Sequence, residues 1–422
     1  MATLRYIGAA LPRAHVMTIT VANTWATNDT GDVICNGRTL RLTVGAVTTT
    51  TGIATAIAAM INGDAAIGTE TRSETGDNVP EFQEVTAAAS SSTVVITGNT
   101  KGLPFTFTVA ENTAGSGTLS IAETTAATGP NHYDNAANWS TGALPVDNDT
   151  VIIEGDVDVL YGATQSSVTP AALRFLNFSG RFGLPDVNET GGYREYRTKF
   201  LAYGNSADAV NMAVTVDCES SRIRFNGGTG QVTINALNTG TPEDTEYAFE
   251  FKGSHTSNVI NIVGGSVGVG IEPDDTTTVV ATLRIGGNAN AEARSGVGLT
   301  TVLHDSGTSR LASNVTTLTI NDGDCRVDGT ATLTTATVNG GRLNYRSSGT
   351  ITNLYVFSNG EADFREDDRA RTVSNFFIYG GGVVHDPSKT VTWTNGLDLI
   401  ACGVDDVTLD IGRNQTLTPS AL

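Results

Sequence analysis

Ile320-Asn321-Asp322-Gly323-Asp324-Cys325-Arg326-Val327 is answered 18 residues later by Val338-Asn339-Gly340-Gly341-Arg342-Leu343-Asn344-Tyr345. Both stretches place an apolar residue before an Asn/Gly-rich corner, then alternate polar and apolar side chains. The pattern continues nineteen residues on with Phe357, Ala362 and Phe364 around Asn359-Gly360. A further twenty-one residues bring Ile378, Val383 and His385 around Gly380-Gly381-Gly382. An earlier copy is Ile262, Val267 and Val269 around Gly264-Gly265. A unit of strand, tight corner and strand cannot bury its apolar side alone, whereas stacked units bury a continuous column. The spacing predicts a parallel β-helix (β-solenoid) over residues 129–400, right-handed by the crossover rule. A β-sandwich with evenly spaced hairpins fits the same spacing, because one chain does not distinguish parallel from antiparallel pairing.

Working outward, residues 14–128 read as a small α+β domain. His15–Val21 alternates as a strand, and Asp32–Cys35 and Thr39–Val44 flank the hairpin turn Asn36-Gly37. Ile53, Ile57, Met60 and Ile61 recur on one face of a helix over about 52–62, stopped at Asn62-Gly63. Strands are expected at Glu81–Val85, Thr93–Thr97 and Phe105–Val109, giving one helix on a sheet of about five strands, and 111–132 as a linker or loose strand. Residues 1–13 read as an N-terminal arm and 401–422 as a C-terminal cap or tail. Trp139, Pro145 and the acidic loop Asp147-Asn148-Asp149 resemble the capped start of a solenoid. The fold class expected is therefore mainly β, a small N-terminal α+β domain followed by a β-helix.

Composition agrees. Hydrophobic residues are 39% and charged residues 16%, with the remainder rich in Thr, Gly, Ala, Asn and Ser, which favours short strands and tight turns over helical bundles. A formal charge of −19 opposes binding to nucleic acid or anionic membranes, since phosphate contacts need Lys/Arg surfaces. No apolar run approaches the roughly 18 residues of a membrane span. No signal peptide is visible, and the scattered cysteines lead to an expectation that the chain matures in a reducing cytosol or does not depend on disulfides. The four cysteines, Cys35, Cys218, Cys325 and Cys402, lack any ligand spacing. Cys325 and Cys402 read as small core residues.

The search for chemistry finds little. The five histidines sit in unrelated contexts, no G-x-S-x-G elbow or P-loop is present, and Gly264–Gly270 lies between strands. His385 falls at an inward repeat position. Asp147-Asn148-Asp149 and Asp322-Gly323-Asp324 are too short for a full calcium loop, so no metal and no cofactor is expected. The densest carboxylates are Glu361, Asp363, Glu366, Asp367 and Asp368. Asp363 alternates with inward neighbours and so points outward, where a glycosidase pair could lie, but the interleaved Arg365, Arg369 and Arg371 favour a salt-bridged corner. An inserted loop near 181–203 concentrates aromatic and basic residues. Tyr193, Arg194, Tyr196 and Arg197 are the candidate interface residues, since Tyr and Arg are favoured anchors.

Asn138-Trp139-Ser140 to Asp149–Ile152, the loops Gly183-Leu184-Pro185 and Tyr196-Arg197-Thr198, and Val391–Gly396 are similar to structural proteins of tailed-bacteriophage virions that pair a small β-rich module with a β-helix. The resemblance implies a virion part, assembled in the host cytoplasm, whose partners are the major capsid protein or other virion proteins, and which forms a homotrimer or another symmetric homo-oligomer. It carries no catalytic residues to transfer. Among virion roles it points to a capsid decoration or head-fibre protein. The alternative is a tail fibre or tailspike that binds host polysaccharide, with or without hydrolysis. A bacterial surface adhesin is a third reading, which the lack of a visible signal peptide disfavours.

Overall fold

The computed structural model describes all residues except 1, 36, 115, 184, 191, 192, 199, 205–210, 219–221, 241–246, 272–274, 413–416, 421 and 422. For 185–190, 193–198 and 417–420 only the backbone is described. Two compact units emerge: Gly8–Asn138, and Trp139–Leu422 together with Met1–Ile7.

The larger unit is a parallel β-solenoid of about eleven turns. The strands of its 25-stranded sheet pair in parallel, and successive turns bring like residues above one another. One inward column starts at Leu4 and Val151, continues through Ile234, Ile260, Leu283, Val302 and Leu318, and ends at Ala336, Leu354 and Phe376. Every one of these side chains is buried. A β-branched or Leu side chain every second residue, with Gly at the corners, is what allows each strand to lie flat on the next. Large rings fill much of the described core, Phe175, Phe178 and Phe182 early, Phe225 and Phe251 in the following turns, and Tyr345, Phe364 and Trp393 late. Between them Ala289, Ala291 and Ala293 narrow the turn.

The register corrects the repeat in one place. Ile320 lies beside Val338 and Cys325 beside Leu343, as the spacing predicts. Val338, however, lies beside Val356, not Phe357, because an irregularity between Val338 and Gly340 adds a residue after the first strand of that turn. The next turn is longer again. Val356 pairs with Ile378, Ala362 with Val384 and Asp363 with His385. Val383 and His385 therefore face outward, and Val384 takes the core position. Cys325 is in the core, but Cys402 is only half-buried, in a turn.

The first residues are not a free arm. Thr3–Arg5 is a strand that pairs in parallel with Thr150–Ile152. The Ala2 amide donates to Asp149 Oδ1 at 2.6 Å, and Tyr6 meets Trp139 edge to face at 5.2 Å. Likewise the last residues continue the coil, Thr408–Asp410 pairing with Val383–His385 and Leu417–Ser420 with Leu397–Ile400.

The smaller unit holds two antiparallel four-stranded sheets, not one of five. One has the order Val85–Ser90, Thr93–Gly98, Val16–Ala22, Thr118–Thr125, and the other Thr71–Arg72, Arg38–Thr43, Thr30–Cys35, Phe107–Asn112. The expected strand at Glu81–Val85 is a 3-10 turn at Pro80–Phe82 followed by Val85–Ser90, since Pro80 favours the first position of a helical turn. The helix spans Thr50–Asn62. Thr49 caps it by accepting the Gly52 amide at 3.2 Å, and Gly63 ends it at φ 74°. Its Ile53, Ile57, Met60 and Ile61 join Ile19, Leu40, Phe82, Ile96 and Phe107 in one core.

Gly76 approaches this helix so closely that a Cβ there would sit 1.7 Å from the Ile61 carbonyl oxygen. Because that oxygen belongs to backbone, Gly76→Ala is expected to destabilise the small unit by roughly 1–3 kcal/mol, read as a lowered urea midpoint. Ala at the exposed Ser91, used as a control, should leave the midpoint nearly unchanged.

Candidate functional site

In the later turns the titratable residues of the solenoid strands collect on one strand, whereas earlier turns also carry Glu154, Arg174 and Arg284 on the other. In register, Glu292, Arg310, Arg326, Asn344 and Asp363 follow one another on successive turns, with Asp324, Arg342 and Glu361 in the neighbouring column. Parallel stacking at about 4.8 Å per turn puts these charges within reach of one another along the coil, so the sequence alternation becomes an ion-pair ladder. Arg310 Nε lies 2.6 Å from Asp328 Oδ2, and Arg326 Nε lies 2.8 Å from Asp328 Oδ1. Arg310 also reaches Glu292 at 3.4 Å.

The ladder is densest at Asp363. Its side chain leaves the core between Ala362 and Phe364, as alternation predicts, but it is 0% exposed, covered by two guanidinium groups. Arg342 donates to Oδ2 at 2.6 Å, and Arg365 donates at 2.9 Å to Oδ1 and at 2.7 Å to Oδ2. The Arg365 amide adds a bond of 2.9 Å. Burial alone would raise the Asp363 pKa, but the hydrogen bonds from Arg365 and Arg342 outweigh it and hold the carboxyl at about 2. Glu366 is lowered as well, chiefly by Asn344 and then by Arg342. Asp367 is held at about 2 by Arg369. Arg371 is buried beneath this corner and donates to the carbonyls of Arg369, Tyr345 and Asp367. The salt-bridged corner is therefore what the interleaved arginines form. A glycosidase acid needs a carboxyl kept protonated near neutral pH. Asp363 and Glu366 are both driven the other way.

His385 stands outside the core, its Nε2 3.7 Å from Glu361 and its Nδ1 3.6 Å from Asp410. The histidine that does lie inside is His304, stacked between Ile285 and Ile320. Its Nδ1 is 2.8 Å from the Asp322 carbonyl, and no hydrogen-bond partner meets Nε2. Burial lowers its pKa below the ordinary 6.5, although the Asp322 carbonyl and nearby carboxylates oppose the shift. The unfolded chain thus binds this proton more readily than the folded one. His304 should contribute a loss of stability as pH falls below 6.5, and none above it. Comparing denaturant midpoints at pH 7.5 and 5.5, roughly one unit either side of that value, His304→Gln is expected to flatten this part of the pH dependence.

The short acidic loops bind backbone. Asp149 accepts from Ala2 and Val146, Asp147 from Thr169 at 2.7 Å, and Asp322 from Gly323 at 2.7 Å. Among the described residues no group of three or more His, Cys, Asp or Glu side chains is placed to hold a metal ion. The inserted segment is a hairpin, Pro185–Thr190 antiparallel to Tyr193–Thr198, with Tyr196 opposite Val187 and Arg197 opposite Asp186. The side chains of Tyr193, Arg194, Tyr196 and Arg197 lie outside the described residues. No described helix is long and apolar enough to cross a membrane.

Sequence reading missed the other strand of each turn. From 298 to 400 its outward positions are Thr, Asn and aromatic residues with almost no charge. The signal was present in the runs Thr316-Thr317-Leu318-Thr319, Thr334-Thr335-Ala336-Thr337 and Asn353-Leu354-Tyr355-Val356-Phe357, of which only Phe357 entered the repeat. No family model matches this chain, and no curated protein or solved structure is significantly similar to it.

Proposed function

We propose that the chain is a rigid structural part of a tailed-phage particle, a capsid decoration or head-fibre protein that docks on the shell and stabilises it. The observation that carries the reading is the parallel sheet that joins Thr3–Arg5 to Thr150–Glu154 and continues turn by turn to Leu417–Ser420, with its later turns braced on one strand by ion pairs. In such a coil nearly every backbone group has a partner along the axis, so it holds its form without disulfides, and all four cysteines are free. The carboxylates are committed to arginines, which suits bracing better than proton transfer. The resemblance of the Trp139 and Val391–Gly396 segments to virion proteins supplies the setting, and the major capsid protein is the partner it favours.

A part that binds only the assembled shell stabilises it by linkage. Particles assembled without this chain should release their nucleic acid at a lower temperature than complete ones, and added purified chain should restore the higher temperature. Equal release temperatures would contradict the reading.

A further inference from the structure

In the later turns charge is divided between the two strands. While one carries the ladder, the other presents a nearly uncharged face over six successive turns, from Gly298–His304 to Leu397–Ile400. Its outward residues are threonines such as Thr316, Thr334 and Thr352, then an asparagine ladder, then aromatics. Asn375 donates to Asn353 at 2.9 Å and Asn395 to Asn375 at 2.6 Å. Asp398 is the charged residue among the described outward positions of these strands. Next to the amides, Tyr355 stacks on Phe377 at 4.7 Å and 14°, and Phe357 on Tyr379 at 4.1 Å and 12°, all four partly exposed.

We propose that this face is the docking surface for a second copy of the same chain. Four observations select that occupant. The chain carries −19, so two copies repel wherever their acidic surfaces meet and can approach closely only through a face without charge. Interface centres are depleted in charge and enriched in aromatic residues, as this face is. Six turns at about 4.8 Å, with strands averaging about 22 Å, offer about 630 Å² on each copy, above the roughly 500 Å² per partner that a specific interface has to clear. Threonine and tyrosine hydroxyls both donate and accept, so the face can meet itself. The rings are less suited to a polysaccharide, because their stacking turns the faces on one another and leaves their edges outward.

The test is the solution mass of the full chain by sedimentation velocity. The native chain should sediment as a multiple of 43.8 kDa. Thr316→Glu with Thr352→Glu places charge at two exposed positions of the face, and this variant should fall to 43.8 kDa with an unchanged circular dichroism spectrum. Thr308→Glu with Ser348→Glu adds the same charge at exposed positions away from the face and should leave the mass as it was. A native chain that stays monomeric up to about 100 µM would overturn the proposal, because an interface of this size holds copies together well below that concentration. So would a face variant that keeps the native mass. Binding of a glycan panel by a monomeric native chain, abolished in the face variant, would assign the surface to polysaccharide instead. None of these outcomes bears on where the chain sits on a particle.

Discussion

Leu318→Ala is expected to destabilise the solenoid by about 2–5 kcal/mol, the cost of lost transfer free energy plus a cavity that stacked turns cannot close. Leu318 is 0% exposed and lies between Val302 and Ala336 in the inward column. Ala336 cannot fill the gap from above, and the backbone on both sides is fixed by parallel pairing. Thr319→Ala, one residue on and directed outward, should change stability by no more than about 0.5 kcal/mol. The two effects also differ in reach. A solenoid is held by contacts between neighbouring turns, so a defect in one turn weakens mainly those beside it. Backbone amides of Gly298–His304 and Leu333–Tyr345 should lose hydrogen-exchange protection in Leu318→Ala, while those of Thr150–Glu154 keep theirs. Uniform loss along the coil would mean that the turns unfold as one unit.

Asp363→Ala should cost about 2 kcal/mol at neutral pH. Removing one partner from a buried ion pair can cost more, but Arg342 keeps Asp324 and Glu366, and Arg365 keeps Glu361. Both guanidinium groups also reach solvent. The carboxyl held at about 2 titrates higher in the unfolded chain, near 3.8. Its contribution is therefore complete above about pH 4 and is lost as pH falls from there through about 2. Asp367, also held at about 2, titrates over the same window. In acid titrations followed by circular dichroism, the native chain should lose its strand signal across that window. Asp363→Ala should be less stable at pH 7 and show a shallower acid dependence. An unchanged slope would mean that Asp363 is not held ionised by its arginines.

Much of this architecture was legible because local signals and stacking agree. The turns of equal length, around Asn321-Asp322-Gly323 and Asn339-Gly340-Gly341, showed both the corner and the inward residues that follow it. The reading slipped where turn length changed. Phe357 is more apolar than Val356 and drew the alignment one residue late, so Val383 and His385 were placed inside. Only pairing between turns reveals that Val356 is the core residue. The strand at Thr3–Arg5 was illegible for another reason, since its partner at Thr150–Ile152 is well over a hundred residues away and three residues hold too little alternation to announce a strand. At the candidate site, the neighbouring Arg365 foretold the neutralisation of Asp363, but not that Arg342 from the preceding turn would join it in sealing the carboxylate from water.

The proposed place of this chain is a virion shell. The measurement that tests this most directly is cryo-electron microscopy of intact particles, with antibody labelling to identify the chain. Signal at symmetric sites on the capsid, lost from particles made without the chain, is the result expected. Signal at the tail tip, or none on the particle, would contradict it.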